Sequence, residues 1–314
     1  MDLIRSIPAK DRAWLAGDDP ALWMYHGWGI VLTSAQEESI RDVLRYPPGT
    51  AHVWRWANRA GKTSALIALH LLACWRKWRY ETESFDEWLG YRYQTLHVAP
   101  TGLLMGKAWE MADAWIAGTG DQQRDPVAGS QRRGLFVRTS LFECRTGKRA
   151  DGSDALWIEC ANGSKVDFLQ THDGAGRIEG DKWWLLDWDE FVRHQPLSAV
   201  PRLMDQTFLP RSSDHMAPLV FASTQTEEAD AVYAEIEDMA TSSEGAHWFN
   251  FKSFDRTTNF SQTSASIDRQ RAMAFDKATV DRSVGGGMGE GGSGLLLPVS
   301  VVANAFDRDI EKES

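Results

Sequence analysis

One local pattern constrains this chain more than any other: a short apolar run that breaks at a basic, glycine-bearing turn and resumes as an apolar helical stretch. His52-Val53-Trp54-Arg55-Trp56 leads into Asn58-Arg59-Ala60-Gly61-Lys62-Thr63, and Ser64-Ala65-Leu66-Ile67-Ala68-Leu69 follows. The order predicts strand, tight turn, then helix. A helix start offers unpaired N–H groups and the positive end of its dipole, so such a turn is suited to phosphate. Lys62 would then lie against the β/γ-phosphates and the Thr63 hydroxyl on Mg²⁺. The strict phosphate-loop signature has another glycine six residues before the lysine, where Trp56 stands here. The hexapeptide alone fits an ordinary Gly-Lys-Thr turn equally well.

A second element downstream favours the phosphate reading. Trp183-Trp184-Leu185-Leu186-Asp187-Trp188 reads as a buried strand, and it runs into Asp189-Glu190. A strand that delivers an acidic pair to its carboxyl end is the Walker B arrangement. There Asp189 would join the Mg²⁺ shell and Glu190 would orient and deprotonate the attacking water. Asp187 also lies near the strand end. Asp189 is preferred because a glutamate follows it directly, which leaves Asp187 as a hydrogen-bonded carboxylate.

With 314 residues the chain can hold one sizeable nucleotide-binding domain and a small appendage. No apolar run nears the roughly 18 residues that a membrane span needs, and Met1 to Lys10 lacks a signal-peptide core. Cys74, Cys144 and Cys160 form no C-x-x-C pair and read as reduced thiols, without a zinc site or disulfide frame. Trp75, Trp78, Trp183 and Trp184 belong to packing before base stacking. A net charge of −10 argues against a surface coated by nucleic acid. Local contact stays open, since Arg124, Arg132, Arg133, Arg138, Arg145, Lys148 and Arg149 crowd one stretch. That stretch reads either as a solvated loop face or as a phosphate-tracking surface.

The remaining pattern predicts a mostly parallel sheet. A helix from Ser34 to Leu44 carries Ser34 as cap and Glu37 three residues on. Beyond the turn come a helix to about Arg79, a strand over Thr95 to Ala99 and a helix from Leu104 to Ile116. Asn162-Gly163 lies between two strand-like runs, Trp157 to Cys160 and Lys165 to Leu169, and signals a hairpin. Leu219-Val220-Phe221-Ala222 reads as another buried strand ending at Ser223-Thr224-Gln225, followed by a helix from Ala229 to Thr241. Strands alternating with helices predict βαβ units. Residues 285–294 are glycine-rich and read as a flexible linker or mobile loop. The expected organisation is an N-terminal lead over 1–48, a P-loop core over 49–256 and a helical, Gly-rich segment over 257–314.

In this order the motifs resemble the ATPase domain of the large terminase subunit, the DNA-packaging motor of tailed bacteriophages. The resemblance runs from about Leu32 to Phe306. It implies an α/β P-loop NTPase of the RecA/ASCE type with a β-hairpin insertion, which binds ATP with Mg²⁺. Gln36 takes the place of an adenine-reading glutamine. Asn58, Arg59, Ala60, Gly61, Lys62, Thr63 and Ser64 form the variant Walker A site. Thr63 and Asp189 would hold the metal, and Glu190 would be catalytic, with Arg59 sensing the developing charge. Ser223-Thr224 matches the start of a coupling segment, although Gln225 stands where the family has proline. The family's arginine before Walker B is not cleanly placed, and Arg177 is taken as the finger. Double-stranded DNA, a homo-oligomeric ring on a portal, a small terminase subunit and the cytoplasm of an infected bacterial host are implied by the same likeness, with no membrane partner. Large terminases normally continue into a nuclease domain, whose activity is not expected here: Asp307, Asp309 and Glu311 form a charged terminus without a strand-borne carboxylate cluster. Three other classes stay open, one of them a small-molecule kinase, which usually carries the full glycine pattern in its phosphate loop. A helicase-like P-loop ATPase would show strand separation, and a silent DNA- or portal-binding scaffold would show no nucleotide affinity.

Overall fold

The computed structural model describes residues 19–46, 49–75, 92–124, 129–148, 154–171, 183–213, 216–226, 229–242, 249–254 and 264–274. In chain order these form α1 (Pro20–Trp28), α2 (Ser34–Arg45), β1 (Ala51–Trp56), α3 (Lys62–Trp75), β2 (Gln94–Ala99), α4 (Gly102–Ala117), β3 (Phe142–Lys148), β4 (Asp154–Cys160), β5 (Lys165–Gln170) and β6 (Leu185–Asp189). There follow α5 (Val200–Leu203), α6 (Leu209–Ser213), β7 (Leu219–Ser223), α7 (Asp230–Thr241), β8 (Phe249–Phe254) and α8 (Ser264–Met273).

The strands make one sheet in the order β3-β4-β5-β2-β6-β7-β1-β8. From β5 to β8 every neighbouring pair is parallel, whereas β4 runs antiparallel to both β3 and β5. This is the expected P-loop α/β sheet, with β7 seated between β1 and β6. A parallel sheet needs both faces covered, and side chains that alternate along each strand feed two cores. Trp54 and Trp56 of β1, Leu185 of β6 and Val220 and Ala222 of β7 pack with α1 to α4. Val53, Leu186, Trp188, Leu219 and Phe221 pack on the other face with Val200, Phe208 and Tyr233. Asp187 and Asp189 share the phase of Leu185, so β6 turns both acids toward α3.

Most tryptophans in the described residues are packing residues. Trp23, Trp28, Trp54, Trp56, Trp115 and Trp188 are fully buried, and Trp75 and Trp183 nearly so. Cys74, Cys144 and Cys160 are free. Asn162-Gly163 does turn β4 into β5. Gly163 takes φ +83 and the Asn162 carboxamide oxygen accepts from Ser164 N at 2.9 Å. Trp78, Arg149 and the glycine-rich stretch 285–294 lie outside the described residues.

Three expectations change. The α2 cap is Thr33, one residue earlier than Ser34, because Gln36 closes the capping box with it. The basic stretch is not a continuous loop face: Phe142–Lys148 forms edge strand β3, where Arg145 pairs with Glu143 and Lys148 with Asp154 at 2.5 Å. Strand β8 escaped the sequence reading, and it closes the far edge beside β1.

On β1, His52 faces α2, near the Tyr46 ring, and is fully buried. Its Nδ1 lies 3.1 Å from Asn250 Nδ2, so the ring accepts there and is neutral. Burial, only partly offset by Asp42, pushes its pKa down to about 3. The unfolded chain therefore takes up a proton that the folded chain refuses as pH falls below about 6.5. We expect this site alone to remove about 2 kcal/mol of stability by pH 5. Urea unfolding of wild type and His52→Gln at pH 7 and pH 5 checks it: the variant should lose less stability on acidification.

Candidate functional site at the carboxyl edge of the sheet

The site is assembled by three adjacent strands, β1, β7 and β6, whose carboxyl ends meet the start of α3. After Trp56 the chain turns through residues 57–61, with Arg59 at φ +63 and Gly61 at φ +86. The conformation at Gly61 favours glycine, and a Cβ there would sit 2.5 Å from Gln36 Nε2 and push that side chain off its contacts. Gln36 itself ties α2 to this turn: its Oε1 accepts from Thr33 N at 2.9 Å and its Nε2 donates to Gly61 O at 2.9 Å. These contacts use one amide hydrogen and one oxygen lone pair of the carboxamide.

Lys62 opens α3 and is almost fully buried. Its Nζ donates to Thr224 Oγ1 at 2.8 Å and to Ala57 O at 3.4 Å, and lies 3.3 Å from Glu190 Oε1. Thr63 donates to Asp189 Oδ2 at 2.5 Å. Ser64 turns away toward α4, donating to Met111 Sδ at 3.4 Å and accepting from Gln122 Nε2, just beyond that helix, at 3.1 Å. Ala60 is buried, Asn58 half-buried and Arg59 exposed on the loop.

Glu190 owes its direction to a backbone kink. Its N–H still continues the β6–β7 ladder, donating to Ala222 O at 2.6 Å, but its φ of +53 and ψ of +39 break the strand. A non-glycine residue held there costs on the order of 1–3 kcal/mol. Phe191 and Val192, buried immediately after it, hold the turn in place. The kink throws the carboxylate back over β7. Ser223 Oγ donates to Oε2 at 3.1 Å, Thr224 Oγ1 to Oε1 at 3.4 Å, and Arg193 Nε lies 3.3 Å from Oε2. Burial pushes this carboxyl up, but Lys62, Arg193 and the Ser223 hydroxyl outweigh it and hold it below its ordinary value.

Asp189 is in the opposite condition. Burial and then the Glu190 charge raise it to about 6, against the pull of His97, the Thr63 hydroxyl and Lys62. Its Oδ1 is buried and without a hydrogen-bond partner. A hydroxyl and a buried carboxylate oxygen without a partner are hard oxygen donors of the kind a divalent cation takes, so Thr63 and Asp189 fit Mg²⁺.

One pleat deeper, Asp187 has a separate role that the sequence did not resolve into partners. His70, two turns along α3 from Thr63, donates from Nε2 to its Oδ2, and His97 Nδ1 lies 2.9 Å from its Oδ1. All three side chains are fully buried. Burial would lower His97, but Asp187 raises it; for His70 burial prevails and the pKa is lowered. The assignment is therefore a neutral His70 and an ion pair of His97 with ionised Asp187. Their donor atoms lie within 4.8 Å of one another, a spacing that a metal would also accept. Both histidines hydrogen-bond Asp187 Oδ2 and His70 also meets Thr95, while His97 Nε2 and Asp187 Oδ1 have no hydrogen-bond partner among the described residues; we read the trio as a structural tie between α3, β2 and β6.

The structure thus brings Gln36, Lys62, Thr63, Asp189, Glu190, Ser223 and Thr224 together. Arg177 lies outside the described residues. Sequence reasoning passed over Arg193, although its place three residues after Glu190 was visible. We expect Asp187→Asn to cost about 2 kcal/mol in urea unfolding, because His97, without its carboxylate, gives up its proton in the core and the buried hydrogen bonds of the trio are partly unmade. A loss under about 1 kcal/mol would show that the ion pair is not the tie.

No protein-family model matches the chain, and no curated protein matches it by sequence. Solved structures do match. The large terminase ATPase domain of Thermus phage P74-26 aligns with a TM-score of 0.51 and 12% identity, covering 85% of this chain and 98% of that one. The large terminase of a thermophilic bacteriophage, in complex with ADP, gives 0.47 and 14%, over 80% of this chain and 52% of that one. The HK97 bacteriophage large terminase gives 0.44 and 14%, and this chain spans 46% of its length. At such identities the likeness is one of fold: this chain has the fold of the ATPase domain of bacteriophage large terminases.

Proposed function

We propose that the chain is an ATP-hydrolysing motor domain that drives double-stranded DNA into a viral procapsid. The observation that carries this reading is the meeting of Lys62, Thr63, Asp189, Glu190, Ser223 and Thr224 at one sheet edge. ATP would lie along the turn over residues 57–61, with its phosphates on Lys62 and its base near Gln36. Thr63 and Asp189 would hold Mg²⁺, which when bound neutralises charge on the phosphate oxygens.

The chain's own residues then have distinct tasks. Lys62 exchanges Glu190 for a phosphate oxygen, since its three N–H groups are already taken by Ala57 O, Thr224 and Glu190 and one of them has to be given up. Glu190, released on that side, orients water and accepts its proton. Ser223 and Thr224 report the change along β7 to α7, where the Gln225 amide bonds Asp230. Arg59 sits on the loop to meet developing charge. The partners follow from the large-terminase likeness: a homo-oligomeric ring on a portal, a small terminase subunit and an arginine finger from a neighbour, with Arg177 in that part. Fingers of this kind contribute on the order of 10³–10⁵ in rate. Work of this sort would take place in the cytoplasm of an infected bacterial host. Among the described residues no helix is long and apolar enough to cross a membrane.

We expect Lys62→Ala to abolish nucleotide binding. Glu190→Gln should bind a non-hydrolysable ATP analogue at least as tightly as wild type, because Lys62 loses its resident anion, while turnover falls on the order of 10²–10⁴-fold. Equilibrium binding and phosphate release, with and without double-stranded DNA and across protein concentrations, measure both. Normal turnover in Glu190→Gln would remove the catalytic assignment. Wild-type affinity in Lys62→Ala would remove the nucleotide site.

A further inference from the structure

The two oxygens of the Glu190 carboxylate have different neighbours. Oε1 faces Lys62 at 3.3 Å and Thr224 at 3.4 Å, the side on which phosphate would lie. Oε2 faces away from it, toward Ser223 at 3.1 Å and Arg193 Nε at 3.3 Å. Arg193 ends the single turn Phe191–Arg193, and its N–H donates to Glu190 O at 2.8 Å. With Phe191 and Val192 buried, the backbone that carries Arg193 is fixed relative to Glu190, although the guanidinium is 47% exposed.

We propose that Arg193 is the positioning residue for Glu190: it holds Oε2 so that Oε1 is presented to the attacking water. The inference rests on the reading of Glu190 as the base in ATP hydrolysis. Its force comes from the Lys62 exchange. Once Lys62 turns to phosphate, Arg193 is the one cation among the described residues still paired with Glu190. Without it the carboxylate keeps only hydroxyl donors, and a side chain on a kinked backbone can swing between the β7 hydroxyls and the site. A guanidinium suits this task because its planar fork sets the direction of each N–H, here through the single approach of Nε to Oε2 at 3.3 Å. Lysine at the same place would keep the charge and lose the fork.

The test is steady-state ATP hydrolysis by wild type, Arg193→Ala and Arg193→Lys, with Glu190→Gln as the blank and thermal melting as the fold check. We expect Arg193→Ala to lower kcat about tenfold with KM for ATP within about twofold of wild type. Arg193→Lys should recover part of the loss. Since the side chain is half-exposed, both variants should melt near wild type. If Arg193→Ala keeps wild-type kcat while Glu190→Gln is dead, the positioning role is overturned and the ATPase reading stands. A kcat loss that lysine does not relieve, with KM rising in step, also overturns it by pointing to a general disturbance of the nucleotide site. Wild type that neither binds nor cleaves ATP overturns the ATPase reading and this inference with it.

Discussion

An ammonium group as buried as that of Lys62 has to be paired, and how it is paired organises everything around it. Its partners come from the turn over residues 57–61, from the end of β7 and from the kink after β6. Those segments are far apart in sequence. They converge because β7 lies between β1 and β6, so the three strand ends line one edge at the start of α3. Moving β7 elsewhere would leave Lys62 with the loop carbonyl and a distant carboxylate. Removing Glu190 would leave a buried cation held only by neutral oxygens, a state that favours any anion able to enter.

The two carboxylates of the site are held in opposite electrostatic states. Glu190 has cations and hydroxyls enough to be ionised at rest. Asp189 has too few, and an oxygen without a partner. Adjacent acids in one buried strand end would repel each other with no outlet. The αL turn at Glu190 separates them by sending one carboxylate toward β7 and leaving the other facing Thr63. Backbone strain at one residue is what sets the two carboxylates on different partners.

Much of this was legible in the sequence because it is local. Gly61-Lys62-Thr63 depends on a turn and a helix start that neighbouring residues dictate, and Asp189-Glu190 on an apolar run with an abrupt end. Asn162-Gly163 was equally plain. What stayed hidden is pairing between distant segments. Nothing in Phe142 to Lys148 says that its partner is β4, and its charges made it look like loop. Strand β8 is defined by its ladder with β1. The two histidines of the buried trio stand on different elements, and only the packed fold brings them to Asp187. Gln36 had a place by resemblance, yet its double attachment, to the α2 cap and to Gly61 O, needed coordinates. The cap itself was misplaced by one residue because Ser34 and Glu37 satisfy the same spacing rule as Thr33 and Gln36.

The buried trio bears on how force could pass through the domain. Helix α3 is fastened to β6 at two levels, by Thr63 on Asp189 and, two turns further on, by His70 on Asp187. Two attachments along one helix suppress both sliding and rocking against that strand. The turn over residues 57–61 and the acidic strand end therefore form a single stiff frame, which in the motor proposed above would serve as its anvil. A stroke in such a motor would be delivered by what is fastened less rigidly to that frame. That leaves the end of β7, held by exchangeable hydroxyl contacts and continued through Gln225 into α7.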